Sequence, residues 1–215
     1  VLSSIQEDSE RLKQAYRRGV KTTMLGTFAC MLGLATVARP LILILIGEKW
    51  LPAVTYLQIL CFGGMLYPLH AINLNILQVK GRSDLFLRLD IIKKVIGIAP
   101  IALGIFYGIE YMLCGSVVTP VIAYFLNSYY SAELIHYPTW AQVRDILPAL
   151  LVSLGVALVM WGISFLDCSV WVLLPLQCVC GILLAMFVYG RLQLEEYLEI
   201  KQIGLSLLNR CYKHG

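Results

Sequence analysis

Apolar runs of about 20 residues, the length of a helix that crosses a bilayer, recur along the chain and are separated by short polar stretches. The runs do not alternate apolar and polar positions, as strands of a membrane barrel would. The pattern therefore predicts an all-α polytopic membrane protein with six transmembrane helices, A to F. These cover about residues 22–46, 53–77, 85–107, 111–130, 146–165 and 170–189.

Residues 1–21 form a separate amphipathic segment. Ser4 and Glu7 have the spacing of a capping box, and apolar side chains recur on one face among basic residues. This pattern predicts an interfacial helix that lies along the membrane surface, with a soluble linker helix as the alternative. Within helix A, Pro40 predicts an end near Ala38, followed by a short apolar segment in the interface.

The polar stretches give a domain plan and an orientation. Residues 22–130 hold four spans, 131–190 hold two additional C-terminal spans, and 191–215 form an amphipathic tail. All of the 17 lysine and arginine residues except Arg39 and Lys49 fall on one side of this arrangement. Because positive loops stay on the cytoplasmic side, both termini of the segment, including the tail, are predicted to be cytoplasmic.

Composition narrows the function classes. The chain is 59% hydrophobic and 14% charged, with a net charge of +4, whereas soluble domains are about a quarter charged. The basic residues lie between apolar runs and not on one polar face, so no nucleic-acid partner is expected. The sequence has no nucleotide-binding, hydrolase or zinc-protease motif, and its seven cysteines are scattered. We therefore expect no enzyme, no catalytic residue, no metal and no cofactor.

The stretch from residue 57 to residue 94 holds the sharpest polar features. Helix C begins with Arg88, Asp90, Lys93 and Lys94, and Asp90 and Lys94 are one helical turn apart. A charge at the centre of a bilayer costs about 2.5–3.5 kcal/mol on insertion scales. The charges are therefore either snorkelling groups at a helix end or the lining of a wet cavity that attracts an anionic headgroup.

Further candidates lie on helices A and B. Arg39, beside Pro40, is either an anchor at the outer interface or part of a broken-helix transporter site. His70, Asn73 and Asn75 either hydrogen-bond to neighbouring helices or contact a substrate. Substrate-binding candidates are thus Arg39, His70, Asn73, Arg88, Asp90 and Lys94.

Three segments in order resemble a known family. They are the amphipathic LSSIQEDSERLKQAYRRG, the span end and turn RPLILILIGEKWLPAVTYLQIL, and PLHAINLNILQVKGRSD with its basic turn. This order is similar to the C-terminal half of bacterial Wzx-type flippases of polysaccharide or lipopolysaccharide biosynthesis, relatives of the multidrug and toxin extrusion transporters.

The resemblance implies part of a two-bundle transporter similar to those extrusion proteins, in the bacterial inner membrane. Its implied substrate is undecaprenyl-pyrophosphate-linked oligosaccharide, and its implied partners are that lipid, membrane lipids and an N-terminal half upstream of Val1. Since the chain begins with Val1 and not Met, we also expect it to start within a longer protein. Two alternatives stay open: a cation-coupled multidrug exporter, and a membrane scaffold that transports nothing.

Overall fold

The apolar runs form α-helices in the computed structural model, which describes residues 9–166 and 168–191. Within these ranges the fold is all-α, without a β-strand. The helices are α1 (Ser9–Leu45), α2 (Ala53–Gly64), α3 (Tyr67–Val79), α4 (Ser83–Tyr107), α5 (Ile109–Ile135), α6 (Thr139–Ile163) and α7 (Val170–Arg191), with a 3-10 turn at Glu48–Trp50. The capping box at Ser4 and Glu7, and the tail beyond Arg191, lie outside the described residues.

The helices confirm a polytopic membrane protein. Five segments of the described chain are long and apolar enough to cross a membrane: α1, the α2–α3 pair, α5, α6 and α7. The sixth predicted span corresponds to α4, which has 25 residues and carries Asp90, Lys93 and Lys94 near its middle. Because of these three charges, α4 is not among the five segments that are apolar enough to cross a membrane.

Helix α1 differs from the expectation in two ways. It is continuous for 37 residues and passes through Pro40, so no break occurs near Ala38. The segment expected to lie along the membrane surface instead forms, from Ser9, the first turns of α1. Its apolar face is buried inside the protein, since Leu12, Tyr16 and Val20 are at most 1% exposed. Burial against neighbouring helices replaces the expected burial against lipid.

Helix B consists of two helices. α2 ends at Gly64 and α3 begins at Tyr67, so the break falls at the middle of a 27-residue segment. Two adjacent glycines weaken the helix there, and Pro68 has no N–H with which to reach the carbonyl of Gly64. The glycine pair and Pro68 are both visible in the sequence, but the run is apolar throughout and was therefore predicted as one helix.

The polar stretch 131–145, which lies between the predicted helices D and E, is mostly helical. α5 continues to Ile135, and α6 begins at Thr139 after a turn in which His136 adopts a left-handed conformation. Polar side chains of this stretch, such as Ser131 and Gln142, are fully buried. They form hydrogen bonds within the protein, which allows a polar sequence to lie inside the bundle.

Helix α1 is central to the packing. It packs against α2 and α3 on one side and against α6 and α7 on the other. α4 packs mainly against α5, which in turn contacts α2 and α3. The main core contains apolar residues of α1, α3, α5 and α6. The two C-terminal helices are therefore attached mainly through α1.

Candidate functional site: polar groups within the helices

A fully buried hydrogen-bond network surrounds Asn73 of α3. Its Oδ1 accepts from the hydroxyls of Tyr16 (2.8 Å) and Ser131 (2.5 Å). Its Nδ2 donates to the carbonyl of Leu69 (2.9 Å) and lies 3.4 Å from Oε1 of Gln142. The amide thus uses both acceptor and both donor positions. This geometry favours the packing interpretation of Asn73, because the network joins α1, α3, α5 and α6.

One turn before Asn73, the partly buried His70 faces α5. Its Nδ1 lies 3.4 Å from Nδ2 of Asn127. An amide nitrogen donates, so Nδ1 is the acceptor and the proton of the neutral ring lies on Nε2. That Nε2 atom, Oδ1 of Asn127 and the hydroxyl of Tyr124 are all buried and make no hydrogen bond of good geometry in the described structure, although His70 interacts with the backbone of Pro120 and Tyr124 with the side chain of Ser128. Unlike the amide of Asn73, these groups are not fully hydrogen-bonded within the described helices.

The charged side chains of α4 do not all lie on one face of the helix. Asp90 and Lys94 form an ion pair of 2.9 Å at the protein surface, where Lys94 is 77% exposed and Asp90 is partly buried. Arg88 is also exposed, but helix geometry places it about 160° around the axis from Asp90 and about 120° from Lys94. Arg88 therefore does not belong to the same face as the ion pair.

Lys93 was not among the predicted site residues, yet it lies nearest to the polar interior. It is partly buried and interacts electrostatically with His70. It lies one residue from Lys94 and so projects about 100° away from it, toward α3 and α5. The region that contains His70, Lys93 and Asn127 is thus the place where polar groups of three helices meet.

Arg39 is not brought together with the other candidates. It is exposed near the end of α1, and its position along the helix is about 35 Å from that of Tyr16. Since a bilayer core is about 30 Å thick, this arginine belongs to the opposite end of the bundle from the Asn73 network. The arrangement favours an interfacial anchor.

Several polar residues of the bundle were missed by sequence reasoning. Asn127 and Tyr124 lie inside an apolar run, and the same argument that singled out His70 applies to them. Tyr137 and Asp145 lie in the polar stretch between the predicted helices D and E, where polar residues carry no special signal. Their contacts join distant parts of the chain and could not be read from spacing.

An apolar cavity of about 480 Å³ lies between α1, α6 and α7. Small side chains of α1, such as Ala29 and Gly33, form one wall, and Gly181 and Ala185 of α7 form another. Its polar element is the hydrogen bond of 2.7 Å between the hydroxyls of Ser153 and Tyr189. Chemically, such a cavity suits a hydrocarbon chain.

Together these features define the class: a multi-pass membrane protein with polar and net-cationic groups inside otherwise apolar helices. Comparisons with known proteins give a narrower answer. Residues 1–55 match the family model described as polysaccharide biosynthesis protein. No solved structure matches the chain.

Three curated bacterial proteins are similar to the chain. The lipopolysaccharide biosynthesis protein WzxC of Escherichia coli (strain K12) is 25% identical over 174 residues, covering 74% of this chain and 34% of the relative. The teichuronic acid biosynthesis protein TuaB of Bacillus subtilis (strain 168) is 24% identical over 157 residues, covering 71% and 32%. An uncharacterized membrane protein in the cps region of Klebsiella pneumoniae is 32% identical over 95 residues, covering 44% and 20%.

These matches confirm the resemblance to Wzx-type polysaccharide biosynthesis flippases, and the chain is a multi-pass bacterial membrane protein. The matched part of this chain spans about a third or less of the length of each of these relatives.

Proposed function

We propose that this chain is the C-terminal portion of a flippase that translocates undecaprenyl-pyrophosphate-linked oligosaccharide across the inner membrane for surface polysaccharide biosynthesis. The observation that carries the proposal is the charge of α4. Beyond its first turn, α4 is apolar except for a stretch of seven residues that holds Arg88, Lys93 and Lys94 against the single carboxylate of Asp90. Such charges inside a membrane mark a functional path more often than a packing contact.

The charge balance of α4 suits an anionic headgroup. Lys94 is neutralised by Asp90 at 2.9 Å, which leaves Arg88 and Lys93 as the net positive groups among these four. Lysine and arginine bind phosphate oxygens through charge-assisted hydrogen bonds. A pyrophosphate group would therefore be attracted to this helix.

The polar groups beside α4 suit the sugar part of the substrate. His70 would offer a donor at Nε2 and Asn127 an acceptor at Oδ1, while Tyr124 could do either, once a movement of α4 during transport exposes these buried atoms. Sugar hydroxyls both donate and accept, so they are matched partners for this set. The lipid chain would remain in the bilayer or enter the apolar cavity between α1, α6 and α7.

The rest of the proposal concerns the whole protein. An N-terminal half would supply a first helix bundle, and the exposed face of α4 would line the cavity between the two bundles. Both ends of the present segment would be cytoplasmic, which places the basic turn between α3 and α4 on that side. A multidrug exporter is less well supported, because a net-cationic helix repels the cationic compounds that such exporters carry.

The experiment that tests this function is mass spectrometry of lipid extracts from the source cells, with and without the full-length gene. Loss of the gene is expected to cause undecaprenyl-pyrophosphate oligosaccharides to accumulate while surface polysaccharide falls, and a plasmid copy should reverse both changes. An unchanged lipid profile together with a changed efflux of cationic dyes would support the exporter. An unchanged profile and unchanged efflux would support a scaffold.

A further inference from the structure

One face of α6 is exposed along most of the helix. Its side chains follow one another at intervals of three, four or seven residues, so they fall within about 60° of one another around the helix axis. They are Trp140, Arg144, Leu147, Leu151 and Leu158. The opposite side of α6 is buried in the protein and includes Ala149, Ser153 and Met160. This exposed stripe of α6 is therefore the side that meets the surroundings of the bundle.

Exposed tryptophans lie near both ends of the same helix. Trp140 is 77% exposed and Trp161 is 53% exposed. Along the helix axis the two positions are about 31 Å apart, which matches the thickness of about 30 Å of a bilayer core. Tryptophan is enriched at the two membrane–water interfaces. The spacing indicates that the exposed stripe of α6 faces lipid, with Trp140 at one interface.

Helix α5 supports the same position for this interface. The hydroxyl of Ser128 donates to the hydroxyl of Thr139 at 2.9 Å, which places the end of α5 and the start of α6 at one height. The next residues along the chain, Tyr129 and Trp140, are both strongly exposed. Exposed aromatic side chains at one height on two helices are typical of an interfacial belt.

Arg144 lies one helical turn beyond Trp140, on the same face. Helical side chains lean toward the N-terminus of their helix, and a long arginine side chain can extend to the interface. Its guanidinium can therefore reach the level of Trp140. Arg144 is exposed and forms no ion pair within the described residues, whereas its neighbour Asp145 is paired with Arg17. A positive charge thus remains at the interface, beside an apolar stripe.

We propose that the exposed stripe of α6 binds an anionic phospholipid, with the lipid phosphate beside Arg144 and Trp140 and an acyl chain along Leu147 and Leu151. A guanidinium binds phosphate oxygens through charge-assisted hydrogen bonds, and the indole N–H is a second donor at the same level. This site takes a lipid of the surrounding membrane and does not depend on which substrate the full-length protein carries. The other candidate occupants of an exposed helix face are another part of the same chain and a second copy, which the experiment distinguishes.

The test uses the full-length protein with a photo-reactive benzoylphenylalanine in place of Leu147, which is 43% exposed. The protein is reconstituted in vesicles of equal amounts of phosphatidylcholine and phosphatidylglycerol and is irradiated, and mass spectrometry identifies what is attached. We expect lipid adducts in which phosphatidylglycerol is enriched about fivefold, the effect of one basic residue near an anionic membrane surface. Cross-links only to protein, in the same chain or in a second copy, would overturn the proposal. Lipid adducts in the same ratio as the vesicle would also overturn it.

Substitutions of Arg144 in the same photo-reactive protein identify the source of the enrichment. Arg144→Gln should return the ratio of adducts to that of the vesicle, whereas Arg144→Lys should keep more than half of the enrichment because it retains the charge. Lys49→Gln, at an exposed position in the turn after α1, is the matched control and should leave the ratio unchanged. Equal enrichment in the Arg144→Gln variant and in the protein with Arg144 intact would contradict a headgroup site at this arginine.

Discussion

The guanidinium of Arg17 and the carboxylate of Asp145, 128 residues apart in the sequence, form a bidentate ion pair. Nε and Nη2 of Arg17 donate to the two carboxylate oxygens at 2.5 and 2.7 Å. The hydroxyl of Tyr137 donates to the same carboxylate at 2.5 Å. Burial and this hydrogen bond both raise the pKa of Tyr137, so its hydroxyl stays protonated and remains a donor. The contact ties the first turns of α1 to the start of α6.

Removal of the carboxylate should cost more stability than removal of the guanidinium. The side chain of Asp145 is 10% exposed and that of Arg17 is 53% exposed. Asp145→Asn weakens three hydrogen bonds to a charged acceptor and should lower the free energy of unfolding by about 1–3 kcal/mol. Arg17→Gln leaves the bond to Tyr137 intact and should cost about 0.2–1 kcal/mol. Thermal melting of the purified full-length protein measures both.

The pair between Arg82 and Asp84 provides the control for this comparison. Both side chains are about half exposed, and they lie in and beside the turn between α3 and α4. Asp84→Asn should change the free energy of unfolding by less than about 0.5 kcal/mol. A larger loss from Asp84→Asn than from Asp145→Asn would show that the Arg17–Asp145 contact is not a special tie between α1 and α6.

Asn73 should be the most sensitive polar residue in the interior. Asn73→Leu removes the acceptor of Tyr16 and Ser131 and a hydrogen-bond partner of Gln142, while all three remain buried. Buried groups left without a partner cost about 1–3 kcal/mol each, although measured values within membranes are smaller. We expect a loss of about 1–3 kcal/mol for the whole substitution, measured by the same melting experiment.

Asn75 is a matched control on the same helix, because it is exposed. Asn75→Leu should leave the melting temperature nearly unchanged. If the two substitutions have equal effects, the network around Asn73 does not hold the four helices together.

The close contact between α4 and α5 predicts a steric effect at Gly115. A Cβ atom at this position would lie 3.1 Å from Cβ and 3.2 Å from Cα of Pro100. Gly115→Val should therefore separate the two helices and destabilise the protein by about 1–3 kcal/mol. Gly97→Val should cost less than half as much, because a Cβ atom built on this glycine of α4 would meet no atom within 4 Å. If the Gly97→Val variant melts at the same temperature as the Gly115→Val variant or below it, the contact with Pro100 is not the cause of the destabilisation.

The sequence predicted the class of fold because long apolar runs have few alternative structures in a membrane. It could not show that the stretch 131–145 is helical, since Ser131 and Gln142 are polar and only their buried partners on other helices explain their place. It did not reveal that the first turns of α1 are buried in protein, because an apolar face packs equally well against lipid. Pairings such as Arg17–Asp145 depend on the three-dimensional arrangement and leave no local signal.

The candidate site shows the same limit. The charges of helix C were visible in the sequence as a group, but their directions decide their roles. Lys94 was a candidate because it lies four residues from Asp90, and that spacing is the reason why it is neutralised. Lys93, three residues from Asp90, interacts with that carboxylate without forming an ion pair, and it is the lysine that interacts electrostatically with His70.

This difference predicts unequal effects of neutral substitutions in the full-length protein. Lys93→Gln should lower surface polysaccharide about 10–100-fold, because a charge-assisted hydrogen bond to an anionic group contributes about 1.5–3 kcal/mol. Lys94→Gln should have a weaker effect, since Lys94 is paired with Asp90 and is 77% exposed. Lys49→Gln, at an exposed turn, is the control and should have no effect. Surface polysaccharide is measured in the gene-deletion strain complemented with each variant and is normalised to the amount of flippase in the membrane. Equal activity of the Lys93→Gln variant and the unsubstituted protein would remove Lys93 from the proposed headgroup path and leave Arg88 as the cation of α4 to be tested next.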